Sequence, residues 1–304
     1  MSATGTSGTP AAGSPVAAHL LSERPSPRRL WTDRAASAGM MAAVALALLP
    51  VVLIFYYIIR EGLGAMSWDF LTQPQPYSFR REGGGFVNGL IGTLIMVGIA
   101  TAVAVPLGVL AAVYLVEYGK SGILAQLIRF FADVMTGVPS VFVGLFVYTA
   151  FVVPFGFGAL MGAAALAIIM LPIVVRSTEE MLKLVPVDVK NAAYALGAAK
   201  WQTVLRVVLP SALPGITTGV LLAVARAAGE TAPLILTALG SLTVTTKLIG
   251  EPISALPLAI FDGARTPFAA GQARAWAGAL ELLAMVLMFT LLARVASSRS
   301  SISR

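Results

Sequence analysis

The chain has 304 residues, 58% of them hydrophobic and only 12% charged, about half the charged share of an ordinary soluble domain, which makes it a membrane protein on composition alone. With no cysteine, disulfides, thiolate metal sites and cysteine nucleophiles are excluded, and the one histidine, His19, in a polar N-terminal stretch, supplies no metal site or general base to the apolar part. The net charge of +7 comes from basic residues at the ends of apolar runs, which topology explains better than a nucleic-acid footprint.

Residues 1–35 are rich in Ala, Ser, Thr, Gly and Pro, with Arg24, Arg28, Arg29 and Arg34 among them. They cannot bury enough apolar surface to fold and are expected to form a disordered cytoplasmic tail. A cleaved signal peptide competes, because arginines precede an apolar run. That run, 38–59, is longer than the ~7–15 residues of a signal core, so it is read as a retained first transmembrane helix. Further spans are expected at 86–116, 123–153 with an interruption at Gly137-Val-Pro139, 155–175, 214–239 and 275–293. The fold class is therefore all-α, an integral membrane protein with six transmembrane helices.

Six spans put both termini on one side. That side carries 14 of the Lys and Arg residues and the other side 6, so the termini and the 176–212 loop are assigned to the cytoplasm. The membrane domain runs over 36–295, and 296–304 is a second cytoplasmic tail. Small residues such as those of 158–167 allow close helix packing and say nothing about substrate. Pro106, Pro139, Pro172 and Pro233 each remove a backbone donor inside a span, which suits either a translocation path or simple kinking.

The loop begins Asp188-Val-Lys-Asn191-Ala192-Ala193 and reaches Gly197, then Leu209 and Pro210. Asp188 is expected to cap a short helix that breaks at Gly197, with a second stretch ending at Pro210. Val189, Ala192, Ala193 and Leu196 form an apolar stripe at helical spacing, fitted to a membrane surface or to a groove on a cytoplasmic partner.

Arg226 and Glu230 stand four apart in the fifth span, on one helix face. Counting about 1.5 Å per residue from Pro214 puts Arg226 roughly 18 Å into the span, near the bilayer midplane. A charge at that depth marks a substrate path by default, while a buried pair that only fixes packing is the bland reading. Arginine's planar fork of donors matches an oxyanion, and Glu230 would hold it when empty. Thr136 and Ser140 flank the Gly137–Pro139 break, where anion contact and packing are equally good readings. Glu281, an acid in the sixth span, suits packing or a partner contact better than anion transport. Arg129 and Asp133, four apart, are expected to pair with each other. Gly119-Lys120-Ser121 is no phosphate-binding loop, because the position five before Gly119 is Tyr114.

The alanine pair, the glycine four after it and the Val-x-Leu-Pro ending resemble the "EAA" loop of permease subunits in binding-protein-dependent ABC importers. Where that motif has its glutamate, this chain has Asn191. The segment from Pro106 through Tyr114 to Glu117-Tyr118, the run Thr136-Gly-Val-Pro-Ser140, and Arg226-Ala-Ala-Gly-Glu230-Thr-Ala-Pro233 look like the phosphate importer permeases, the PstA type more than its PstC partner.

The resemblance implies an ABC importer permease fold with a cytoplasmic coupling-helix loop. Asn191, Ala192, Ala193, Gly197, Leu209 and Pro210 would dock the ATPase subunit, and Arg226, Glu230, Thr231, Thr136 and Ser140 would line the phosphate path. It also implies partners: a PstC-like second permease, two PstB-like ATPase subunits and an extracytoplasmic PstS-like phosphate-binding protein. The chain itself would be no enzyme, need no metal or cofactor, and reside as a multi-pass protein in the plasma or inner membrane. Another oxyanion (sulfate or molybdate) or an ion-coupled secondary transporter are the rival functions.

Overall fold

A computed structural model describes residues 27–119 and 122–302, apart from the side chains of residues 30, 292–293 and 296–302. The chain divides into two compact units, 1–56 and 57–304. In the first, every described residue belongs to helix α1 (Pro27–Ala65). Residues 27–35, expected in the tail, are thus the first turns of that helix, with Pro27 at the helix start, where its missing N–H costs nothing. Residues 1–26 lie outside the described residues. Met41, Leu46 and Val52 are exposed, as a lipid-facing helix requires.

The second unit continues with α2 (Trp68–Thr72), α3 (Val87–Gly119, closing in a π-helical turn at Tyr114–Gly119), α4 (Ile123–Gly137) and α5 (Ser140–Phe155). Then follow α6 (Ala159–Lys183), α7 (Val187–Ala195), α8 (Lys200–Ala228), α9 (Ala232–Thr237), α10 (Leu256–Arg265) and α11 (Ala269–Ile302). Among the described residues five helices are long and apolar enough to cross a membrane, and α4 with α5, bent by 107°, counts as a sixth if the pair is taken as one span. The interruption expected at Gly137-Val-Pro139 is this bend.

Several boundaries differ from expectation. The fourth span reaches Lys183, so 176–183 belong to it rather than to a loop. The fifth begins at Lys200, well before Pro214. Pro210 and Pro214 sit inside it, and the π-helical turn Val204–Val208, where the Leu209 N–H reaches the Val204 carbonyl, moves the bonding register just before the first of them. The helix then ends at Ala228 instead of running to 239, because Pro233 has no N–H to offer the Gly229 carbonyl and its ring would clash with it. The C-terminal residues 296–302, expected as a tail, continue α11.

The core lies where α3 and α6 pack together and against α8, around Met96, Ala104, Leu166, Met170, Val174 and Ala223, and α11 packs on α8 and α10. At the loop-rich end, buried polar side chains take up backbone groups. Asn88 accepts from the Gln75 N–H at 3.1 Å and donates to the Ser241 carbonyl at 2.6 Å. Thr93 accepts from the Leu256 N–H at 2.8 Å. Arg274, almost fully buried, donates to the carbonyls of Phe79, Arg81 and Gly83 and so holds that loop on the end of α11.

Candidate functional site

Two helix breaks meet in this fold. One is the bend between α4 and α5; the other is the Gly229–Thr231 gap between α8 and α9. The helices that follow them touch at Gly144, where a Cβ would stand only 2.7 Å from the Pro233 Cα, so α5 and α9 can approach this closely only with glycine there.

Arg226 sits in the last turn of α8, where a cation suits the negative end of the helix dipole. It lines a small pocket with Met135, Thr136, Val138, Ser140, Ile169 and Pro172. The pocket has about 10 Å³ of free space, room for one water at most. Thr136 donates to the Asp133 carbonyl at 2.6 Å. Ser140 opens α5, whose first turn has no side-chain cap; the Phe142 N–H donates to the Pro139 carbonyl at 3.0 Å, and the positive end of the helix dipole lies at the bend.

Glu230 lies past the end of α8, in the gap, and not on a shared helix face as expected. It still reaches Arg226, Oε1 to Nε at 3.5 Å, with the two side chains 15% and 53% exposed. Thr231 precedes α9 and is not among the residues lining the pocket. Arg226, Thr136 and Ser140 thus come together, Glu230 joins through its ion pair, and Thr231 stands aside. The count from Pro214 began inside the helix, which starts at Lys200; Arg226 lies at its other end, beside a break.

The second group of expected residues divides in two. Asn191, Ala192 and Ala193 lie on α7, none of whose residues is fully buried, and Leu196 after it is exposed. Pro186, not Asp188, precedes the helix, and Asp188 sits in its first turn, where a carboxylate favours the dipole. Gly197 has φ +82°, a left-handed conformation that ends the helix and that a side chain would strain. Leu209 and Pro210 are half-buried inside α8, apart from this surface helix.

Sequence reasoning missed the charges that tie these helices together. Arg129 and Asp133, expected to pair with each other, both reach α6. Arg129 Nε donates to Glu179 at 2.8 Å and Asp133 pairs with Arg176. Glu179, 1% exposed, also takes Lys183 at 2.8 Å and Arg176 at 3.4 Å. Glu117, in the π-helical turn that ends α3, pairs with Lys190 of α7 at 2.5 Å. A carboxylate at a helix C-terminus opposes the dipole and calls for a cation, which is the signal that was available for Glu117.

The fold and this arrangement define a multi-pass membrane subunit with a charged residue at a pair of helix breaks and a loop helix on its surface. The model of the binding-protein-dependent transport system inner membrane component matches residues 104–301. A phosphate transport system permease protein PstA from Yersinia pestis is 41% identical, over 88% of this chain and 90% of that protein. One from Haemophilus influenzae is 43% identical over 80% and 85%, and a PstA 1 from Mycobacterium tuberculosis 38% over 88% of each. Among solved structures, the chain resembles a subunit of a bacterial alginate ABC transporter with a TM-score of 0.60 at 16% identity, covering 89% of this chain and 98% of that one. A chain of the MetNI methionine ABC transporter gives 0.58 at 18%, covering 70% and 95%. The chain belongs to the binding-protein-dependent transport system inner membrane component family, as a permease of the PstA type.

Proposed function

We propose that this chain is one of two permease subunits of an ATP-driven phosphate importer. It forms half of the translocation path with a second, PstC-like permease. It docks PstB-like ATPase subunits through α7 and receives phosphate from a PstS-like binding protein on the outer face. In this reading both termini and α7 face the cytoplasm, as the excess of Lys and Arg there favours. The chain catalyses no bond chemistry; ATP bound and hydrolysed by its partners rocks the paired permeases between inward- and outward-open forms.

The observation that carries this reading is the meeting of Arg226 with Thr136 and Ser140 at one constriction between two helix breaks. Phosphate offers oxygens to the guanidinium fork, to the two hydroxyls and to the positive end of the α5 dipole. Glu230 competes for Arg226 and keeps the hold weak enough to release the ion, as conduction requires. The constriction must widen for passage, and broken helices are where transporters accommodate such movement.

The test is phosphate uptake by the complex assembled with its partners in proteoliposomes. Arg226→Gln should cut uptake by at least about tenfold to a hundredfold, the worth of a lost charge-assisted hydrogen bond, with assembly intact. Excess sulfate or molybdate should leave the unsubstituted complex unaffected. Uptake that survives Arg226→Gln removes the assigned contact; competition by sulfate moves the substrate to another oxyanion.

A further inference from the structure

We infer that Glu117 and Lys190 form a strut that carries the movement of α7 to the helix break beside Arg226. The inference rests on α7 being the docking element of the proposed function. No residue of α7 is fully buried, and its apolar Val187, Val189 and Tyr194 are exposed, so apolar packing does not fix it to the bundle. Lys190 instead reaches into the protein and meets Glu117 at 2.5 Å, both side chains being largely buried. The next helix makes a second link to the same place: Lys200 Nζ lies 4.6 Å from the ring centre of Tyr118.

Both partners belong to the π-helical turn Tyr114–Gly119. A π-helical turn can be exchanged for an α-helical one by a shift of a single residue, which makes it a natural place for a helix end to yield or ratchet. The same turn offers the Leu115 carbonyl to Arg129 of α4 at 3.0 Å, and Arg129 is fixed in turn on Glu179. From Arg129, two turns of α4, about 10 Å of rigid helix, lead to Thr136 and the bend. Opposite charges held out of water resist separation, so a displacement of α7 moves the turn and α4 together and does not dissipate at the contact. Glu117 and Lys190 are positioning residues in this scheme; neither touches phosphate.

The complex with its ATPase subunits in proteoliposomes gives phosphate taken up per ATP hydrolysed. Glu117→Gln and Lys190→Met should each lower that ratio about tenfold, the scale of a coupling free energy, while the ATPase subunits remain bound. Glu117→Lys combined with Lys190→Glu should bring it back to within about twofold, as a pairwise interaction requires. The exchanged pair also decides the matter for a single variant that assembles poorly. An unchanged ratio in both single variants overturns the strut, and so does a loss that the exchanged pair fails to recover. Crosslinking from Ala192→Cys, the only thiol in a cysteine-free chain, reports on docking separately. With no crosslink to the ATPase subunit the docking reading falls and takes the strut with it, whereas a crosslink beside an unchanged ratio overturns the strut alone.

Discussion

The two charged regions of this membrane domain are built on opposite plans. Around Glu179 the carboxylate is 1% exposed and answered by Arg129, Arg176 and Lys183. Around Arg226 the guanidinium is 53% exposed and meets one carboxylate at 3.5 Å, from a residue outside any helix. A saturated, buried cluster fixes where helices end; a cation left half free beside a break can exchange its partner for a ligand. The rule that an intramembrane charge marks a pathway therefore needs a second condition, that the charge be incompletely satisfied.

The largest effect that sharpens this contrast falls on Glu179. Its removal as Glu179→Ala takes away the buried carboxylate that three cations share at the junction of α4 and α6; Arg176 keeps Asp133 and Arg129 keeps the Leu115 carbonyl, and each lost hydrogen bond to a charged group costs about 1.5–3 kcal/mol. The variant is expected to lose assembly, seen as aggregation in size-exclusion profiles of the detergent-solubilised subunit. A well-folded Glu179→Ala subunit would show that the cluster is not structural and would erase the difference between the regions.

Much of the fold could be read from the sequence because apolar runs and Gly–Pro breaks are local signals. The bend at Gly137-Val-Pro139 and the left-handed Gly197 are of this kind. The limits of α8 were not, since Pro210 and Pro214 read as helix breakers until the π-helical turn ahead of them is known. Arg226 stood out as a lone charge in an apolar span. Its position at a helix end did not, because that depends on Pro233 seven residues on. Glu117 and Lys190 are 73 residues apart, and the choice of partner for each is a property of the packed helices, not of either segment. The same holds for Arg129 and Asp133, whose spacing suggested a local pair until α6 supplied stronger partners.

A smaller effect is expected at Glu281, which belongs to neither plan. It is 6% exposed and neither carboxylate oxygen has a hydrogen-bond partner among the described residues. An unsatisfied buried polar group costs about 1–3 kcal/mol, so Glu281→Leu should stabilise the isolated subunit by that order and raise its thermal midpoint by a few degrees. Uptake by the assembled complex should change little. A more stable subunit that no longer assembles with the second permease would instead make Glu281 a partner contact, and the isolated chain would then be showing half of a site.

The smallest effect on stability, and the most telling for the comparison, belongs to Glu230. Its ion pair with Arg226 is long and half exposed, and pairs of that kind contribute about 0.2–1 kcal/mol. Glu230→Gln should therefore leave the thermal midpoint nearly unchanged while disturbing uptake, because Arg226 loses the group that competes with phosphate. Arg226→Lys keeps the charge and loses the planar fork; partial uptake would mean that charge dominates, and none would mean that bidentate geometry does. Exchange of the charges separates the two plans. Arg226→Glu with Glu230→Arg keeps an ion pair across the end of α8 but places a carboxylate where the pocket has its cation and where the helix dipole is already negative. If Arg226 is an anion contact, the exchanged protein assembles and transports nothing. If the pair is only a fastener like that of Glu179, the exchange restores uptake as well as assembly, and the distinction between the two regions disappears.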